Sequence, residues 1–137
     1  MPKQAPMPSP FDEVALMNAA RAAREHSYSP YSAFAVGAAL LCEDGTVVTG
    51  CNVENASFGL TICAEQNAVA AAVAGGHRRF LALAVAGPPE STTPPCGACR
   101  QVLAEFAPAL TILYGRGETE HDSTSLGELL PAQFELP

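Results

Sequence analysis

The succession of apolar segments limits the fold more than any other feature of this sequence. Two apolar, β-branched runs, residues 34–42 and 46–54, flank Asp44-Gly45, and an Asp-Gly pair between such runs predicts a β-hairpin. After the hairpin, helical patterns alternate with apolar strand patterns. Strand–helix–strand units with continuously apolar strands predict parallel strands that are covered by helices on both faces.

The complete order is α-β-β-α-β-α-β, followed by a weak last strand and a short capped helix near the end. The predicted helices lie in residues 11–28, 63–74, 96–107 and 123–131, and the predicted strands in residues 34–42, 46–54, 80–87 and 110–115. Ser9, followed by Pro10, is the predicted cap of the first helix. The sequence therefore predicts an α/β fold, a three-layer α/β/α sandwich around a mixed sheet of about five strands.

The length of 137 residues predicts one domain, and a 48% hydrophobic, 15% charged composition is sufficient for a packed core. Residues 1–10 contain four prolines and no apolar signal-peptide region, so we expect a flexible N-terminal arm followed by a domain over residues 11–137. No apolar run is long enough to span a membrane.

The charge balance and the cysteine count indicate the kind of partner and setting. The net charge of −7 argues against binding a nucleic-acid backbone and favours a small neutral substrate. Five cysteines, an odd number, argue against a disulfide framework and favour a reducing, cytoplasmic setting. In that setting the thiols are core residues, redox groups or metal ligands.

Three cysteines lie at the predicted starts of two helices. Cys63 opens the second helix in "TICAEQNA", and Cys96 and Cys99 open the third in "PPCGACRQ". The CxxC spacing lets two thiolates bind one ion, and Cys63 supplies a third thiolate from another segment. Three protein ligands leave a fourth position open, which is typical of catalytic zinc sites.

Glu65, two residues after Cys63, is the residue that indicates catalysis. A carboxylate beside zinc-bound water can accept a proton and deliver it elsewhere. Alone, a glutamate in a first helical turn is accounted for by its favourable interaction with the helix dipole. A CxxC pair alone fits a redox dithiol equally well. The third cysteine beside Glu65 favours the metal site.

These residues resemble a known family. Cys63-Ala64-Glu65 together with "PCGAC" is similar to the zinc nucleoside deaminases, specifically the small homotetrameric cytidine deaminases. The segments "YSPYSAFAVGAALL", "GCNVENASFG" and "ELLPAQF" resemble that family in the same order, so the resemblance covers nearly the whole chain after residue 10.

The resemblance implies a zinc ion in each subunit and a homotetramer with active sites at subunit interfaces. It implies that Cys63, Cys96 and Cys99 bind the zinc and that Glu65 is the proton shuttle. The implied reaction is the hydrolytic deamination of cytidine and 2′-deoxycytidine in pyrimidine salvage.

The resemblance also implies contacts to the substrate. Asn52 and Glu54 would bind the ribose 3′-hydroxyl, since an amide and a carboxylate can read a group that both donates and accepts. The Ala64 backbone would bind the base, and Phe34 would stack near it. Phe134 would come from a neighbouring subunit to close the pocket. For the two phenylalanines, ordinary core packing is the competing interpretation.

Two positions depart from the family pattern. Gln66 stands where relatives often have arginine, so it can only donate hydrogen bonds to sulfur and cannot offset the negative charge of three thiolates. Phe58 stands where relatives often have tyrosine, so a hydroxyl contact toward the sugar would be missing. Arg100, beside Cys99, is predicted to be a helix-surface or interface charge.

Three other functions are compatible with parts of this pattern. The first is a deaminase of another aminopyrimidine nucleoside, although the Asn52 and Glu54 pair argues against it. The second is a non-catalytic zinc-binding module, in which Glu65 would have no role. The third is a dithiol oxidoreductase with a reversible Cys96–Cys99 disulfide.

Overall fold

A computed structural model describes residues 10–137. Its elements are, in chain order, α1 (Glu13–Arg24), β1 (Gly37–Cys42), β2 (Val47–Cys51), α2 (Ala64–Ala74), β3 (Phe80–Ala86), α3 (Gly97–Phe106), β4 (Thr111–Arg116), β5 (Glu120–Ser125) and α4 (Leu126–Leu129). A single 3₁₀ turn, Phe58–Leu60, lies between β2 and α2.

The five strands form one mixed sheet in the order β2-β1-β3-β4-β5. Only the β3–β4 pair is parallel, and the other three pairs are antiparallel. The β1–β2 connection is the predicted hairpin: Gly45 has a φ of 92°, and the Asp44 side chain accepts a hydrogen bond of 2.9 Å from the Thr46 amide. The mixed five-stranded sheet is therefore confirmed.

Alternating residues of the strands face two separate cores, which makes the fold a three-layer sandwich. On one face, α1 packs through Met17 and Ala20 against small residues of β1 and β3, such as Ala39 and Ala84. On the other face, α2, α3 and α4 pack against the opposite side chains of the sheet, which are Ala38, Leu40, Leu83, Val85 and Ile112.

Two glycines let helices approach the sheet closely. A Cβ on Gly37 would lie 2.0 Å from the Ala20 carbonyl oxygen of α1. A Cβ on Gly50 would lie 2.6 Å from both the Ala64 carbonyl oxygen and the Ala68 amide nitrogen of α2. The first turn of α2 therefore rests directly on the end of β2, which brings the chain after β2 close to the start of α2.

The structure corrects several boundaries. The cap of α1 is Asp12, whose side chain accepts a 3.0 Å hydrogen bond from the Ala15 amide, so the prediction of Ser9 was wrong. Ser9 itself and the predicted arm, apart from Pro10, lie outside the described residues. The apolar runs were also longer than the strands, since residues 34–36 and 52–54 lie in loops.

At the end of the chain both predicted elements are present, but the helix predicted over residues 123–131 covers only Leu126–Leu129, because residues 123–125 pair with β4 as part of β5. The weak last strand is β5, and α4 is capped by Ser125, whose hydroxyl accepts from the Glu128 amide at 3.2 Å. Within residues 10–137, no helix is long and apolar enough to cross a membrane.

Candidate functional site

The starts of α2 and α3 each carry a cysteine as the N-cap residue. Cys63 and Cys96 both have extended backbone angles, with φ near −70° and ψ of 153° and 170°. Neither side chain caps its own helix, so both thiols are available to another partner. Side chains at these positions lie at the positive end of the helix dipole, which favours thiolates.

The two helix starts bring three sulfurs together. The Sγ atoms of Cys63 and Cys96 lie 3.9 Å apart, those of Cys96 and Cys99 lie 3.1 Å apart, and all three lie within 4.8 Å of one another. Thiolates about 2.3 Å from a tetrahedral zinc ion lie about 3.8 Å apart, so this spacing fits zinc. The donor set also fits, because thiolates are soft ligands that zinc prefers.

The three thiols differ in their proton affinity. Burial raises the pKa of the Cys99 thiol, and it also raises the pKa of the less buried Cys63. Burial also acts on Cys96, but hydrogen bonding with the Cys99 backbone and with the Cys99 and Cys63 thiols outweighs it and holds the Cys96 pKa below its usual value. A bound divalent cation must therefore displace protons from Cys63 and Cys99.

Glu65 lies in the first turn of α2 and is only 5% exposed. Burial raises the pKa of its carboxyl above the usual value, and hydrogen bonds from its own backbone and from Cys99 oppose this effect. A carboxyl with a raised pKa exchanges protons more readily near neutral pH, which suits a general acid and base.

Glu65 and two of the thiols open into a cavity of about 470 Å³. Its lining also contains residues from the loops after β2 and before α3. The lining residues are Ser32, Phe34, Val36, Asn52, Glu54, Thr61, Cys63, Ala64, Glu65, Thr92, Thr93, Pro94 and Cys96. The structure therefore brings Glu65, two of the predicted metal ligands (Cys63 and Cys96) and the predicted contacts to base and sugar other than Phe134 into one space.

Asn52 holds the loop that carries Phe34. Its Oδ1 accepts from the Val36 amide at 3.0 Å and from the Ser27 hydroxyl, and its Nδ2 donates to the Phe34 carbonyl at 2.8 Å. These bonds satisfy the buried amide and leave one Nδ2 hydrogen for another partner. The sequence did not indicate this structural role.

The Glu54 carboxylate is bound by the loop at residues 31–32. It accepts hydrogen bonds from the Tyr31 amide at 2.9 Å, from the Ser32 amide at 3.1 Å and from the Ser32 hydroxyl. The Ser32 hydroxyl in particular holds the pKa of this carboxyl below its usual value. Glu54 is thus a fixed anionic acceptor at the cavity wall.

The two predicted aromatic contacts lie in different places. Phe34 lines the cavity with 42% of its surface exposed. Phe134 is 70% exposed and lines a separate groove against the C-terminal half of α3, so a single chain does not bring it to the thiols. Its entry from a neighbouring subunit stays a prediction.

Two polar residues of α2 support the site. The Gln66 Nε2 lies 3.6 Å from the Cys99 sulfur and donates to it, as the sequence predicted for a glutamine at this position. Asn67 was missed: its Nδ2 donates to the Cys51 carbonyl at 2.8 Å and joins α2 to the end of β2. The only sequence signal for Asn67 was its place four residues after Cys63, on the same face of α2.

Comparison with known proteins agrees with this geometry. The sequence model of the cytidine and deoxycytidylate deaminase zinc-binding region matches residues 11–115. The chain belongs to the cytidine deaminase family. The family consists of hydrolases, so the chain is an enzyme of that class, and the match together with the three thiols indicates that it binds zinc.

Individual relatives cover nearly the full chain. Cytidine deaminase from Halalkalibacterium halodurans is 48% identical over 125 residues, which are 90% of this chain and 95% of that protein. The crystal structure of cytidine deaminase from Burkholderia pseudomallei has a TM-score of 0.86 at 49% identity, covering 90% of this chain and 100% of that one. Cytidine deaminase from Mycobacterium tuberculosis has a TM-score of 0.82 at 47% identity, with coverages of 92% and 99%.

Proposed function

We propose that this enzyme hydrolyses cytidine and 2′-deoxycytidine to uridine and 2′-deoxyuridine and releases ammonia. The observation that carries the proposal is the joining of two groups of residues in one cavity. Three thiols from two helix starts converge beside the buried Glu65, and an amide and a carboxylate, Asn52 and Glu54, face the same space.

Cys63, Cys96 and Cys99 would hold one zinc ion per subunit, and three protein ligands would leave a position for water. When bound, the zinc supplies Lewis acidity that lowers the pKa of water and makes it a nucleophile at neutral pH. Gln66 donates to the Cys99 sulfur and so keeps part of the thiolate charge away from the metal.

Glu65 moves both protons of the attacking water. It takes the first proton and delivers it to N3 of the pyrimidine while the water oxygen adds to C4. It then takes the second proton and gives it to the exocyclic amine, which leaves as ammonia while the C4 carbonyl forms. The burial of Glu65, which raises the pKa of its carboxyl, favours this double role.

The remaining lining residues orient the nucleoside. Phe34 stacks near the base, the Ala64 backbone binds it, and Asn52 and Glu54 bind the ribose 3′-hydroxyl. Asn52 and Glu54 both bind the 3′-hydroxyl, which ribose and 2′-deoxyribose share, so both nucleosides are accepted. No arginine or lysine is among the described residues that line the cavity, which favours a nucleoside over a nucleotide.

The active form is a homotetramer in which each site lies at a subunit interface. Several large apolar side chains in the segment between β2 and α2 are exposed, including Phe58 at 75% and Leu60 at 65%, and such surface favours association. Phe134 of a neighbouring subunit closes the pocket. We assign the reaction to pyrimidine salvage in the cytoplasm, where the thiols stay reduced.

The deciding experiment compares cytidine, 2′-deoxycytidine and cytidine monophosphate side by side with zinc-loaded protein of measured metal content. We expect turnover of the two nucleosides, little turnover of the monophosphate, and ammonia equal to the uridine formed. The Glu65→Ala variant should keep its zinc and lose turnover by a factor of about 10² to 10⁴.

The same experiment separates the alternatives. Zinc-loaded protein without turnover of either nucleoside would indicate a non-catalytic zinc-binding module. Turnover confined to other aminopyrimidine nucleosides would indicate a different substrate. Zinc-free protein with a reversible Cys96–Cys99 disulfide would indicate a dithiol oxidoreductase.

A further inference from the structure

Arg100, in the first half of α3, binds two separate segments of the chain. Its Nε donates to the Pro95 carbonyl at 2.8 Å, and its Nη1 donates to the Leu129 carbonyl at 2.9 Å. The side chain is half-buried between them. The prediction of a helix-surface or interface charge therefore missed the role that these contacts give the guanidinium.

The first contact fixes the backbone next to a metal ligand. Pro95 is fully buried and directly precedes Cys96, and a buried carbonyl needs a hydrogen-bond partner. The Arg100 amide also donates to the Cys96 carbonyl at 3.0 Å. Arg100 thus holds both peptide groups that flank the Cys96 Cα.

Cys96 is the ligand that most needs such support. It is exposed, whereas Cys99 is buried and Cys63 is partly buried. It also follows the segment Thr93-Pro94-Pro95, in which the two prolines have no backbone N–H that could anchor the loop by a hydrogen bond. Packing therefore does little to set the position of its sulfur.

The second contact braces this loop against α4. Leu129 is the last residue of α4, and carbonyls at a helix end lack partners within the helix. The planar guanidinium can bind both carbonyls through separate nitrogens, whereas a lysine ammonium has one nitrogen and so binds both less well.

We propose that Arg100 is a positioning residue of the metal site, which holds the Cys96 sulfur in place relative to Cys63 and Cys99 by bracing the Pro95 carbonyl against α4. The inference rests on the proposed function only in that zinc is the resident metal. It requires no particular substrate.

The test uses full-length protein loaded with zinc or with cobalt(II), comparing Arg100→Met, Arg100→Lys and a control. Zinc transfer to a colorimetric chelator gives the rate of metal release, and the cobalt protein gives the sulfur-to-cobalt charge-transfer and d–d absorption bands. The control is Arg79→Met, because Arg79 is 83% exposed and pairs with Glu43 on the distant β1–β2 hairpin.

We expect Arg100→Met to release zinc about 10- to 100-fold faster than the wild type, as is typical when a group that orients a ligand is removed. Its cobalt bands should shift or broaden. Arg100→Lys should fall between Arg100→Met and the wild type, and Arg79→Met should match the wild type in both readouts.

Circular dichroism melting of the metal-free proteins separates this role from general stability. If Arg100→Met lowers the melting temperature but keeps wild-type zinc release and cobalt bands, the inference is wrong. If Arg100→Met does not fold, zinc release and the cobalt bands are measured on Arg100→Lys instead. Wild-type values of both in Arg100→Lys would overturn the inference. Wild-type protein that binds no zinc would instead contradict the proposed function.

Discussion

Gly50→Ala tests how closely α2 must approach the sheet for the site to work. The new Cβ would lie 2.6 Å from two backbone atoms of α2, the Ala64 oxygen and the Ala68 nitrogen, neither of which can rotate away. To reach ordinary contact at 3.4 Å, α2 must move by about 0.8 Å. That movement carries Cys63 and Glu65 away from the end of β2.

The clash decides the sign of the stability change. Without it, replacing glycine within a strand by alanine would stabilise the fold by roughly 0.5–1 kcal/mol. Overpacking of a close contact costs about 1–3 kcal/mol, which exceeds that gain by up to about 2.5 kcal/mol, so we expect net destabilisation and a melting temperature lower by up to roughly 10 °C. A misplacement of about 1 Å in a catalytic group can reduce the rate about 100-fold, so kcat/KM for cytidine should fall about 10- to 100-fold.

The assay is thermal unfolding at fixed protein and zinc concentration, together with cytidine turnover. Gly127→Ala is the matched control, because its Cβ would meet only the Ser125 hydroxyl oxygen at 3.9 Å. That variant should equal or slightly exceed the wild type in stability. A Gly50→Ala protein with wild-type melting temperature and kcat/KM would refute the reasoning about the α2–β2 contact.

Three further predictions concern single side chains. Gln66→Arg should keep or raise zinc affinity in competition with a chelator, because an added positive charge offsets the thiolates, and clearly weaker binding would reject this. Asn67→Leu should lower kcat/KM for cytidine more than for 2′,3′-dideoxycytidine, because the bond to the Cys51 carbonyl sets the sugar contacts relative to α2. Equal losses on both substrates would contradict that role. Phe134→Ala should raise the KM for cytidine about tenfold, given about 1.5 kcal/mol for a lost aromatic contact, whereas Leu136→Ala, also an exposed tail residue, should not. An unchanged KM in Phe134→Ala would contradict a contact between Phe134 and the substrate.

The fold followed from local signals that the structure preserves. Asp44-Gly45 fixed the hairpin, and the apolar strands with intervening helices fixed a sheet covered on both faces. The cap of α1 was misassigned because Ser9 before Pro10 has the residue types of a helix start, whereas the helix begins at Glu13 and Asp12 accepts from the Ala15 amide. The strands were predicted too long because residues 34–36 are apolar and Val53 is β-branched, although these segments leave the sheet. Phe34, Val36, Asn52 and Glu54 instead line the cavity.

The site was predictable where chemistry requires particular residue types. Three thiols with a carboxylate beside them are the donors and the base that a catalytic zinc site needs. The structure places the three sulfurs within 4.8 Å of one another and Glu65 in the same cavity as Cys63 and Cys96, while their roles stay predictions. Side-chain hydrogen bonds to backbone carbonyls could not be predicted in this way, because any residue can supply the carbonyl. These hydrogen bonds depend on which backbone carbonyl lies nearby in the folded chain, which a single sequence does not reveal. They join Arg100 to Pro95, Asn67 to Cys51 and Asn52 to Phe34.

The most direct test of the account is X-ray absorption at the zinc edge of the purified protein, with the metal content measured on the same sample. The account predicts one zinc per chain, coordinated by three sulfurs at about 2.3 Å and one lighter oxygen or nitrogen atom. Protein that contains no zinc, or zinc bound by fewer than three sulfurs, would contradict the convergence of Cys63, Cys96 and Cys99 on one metal.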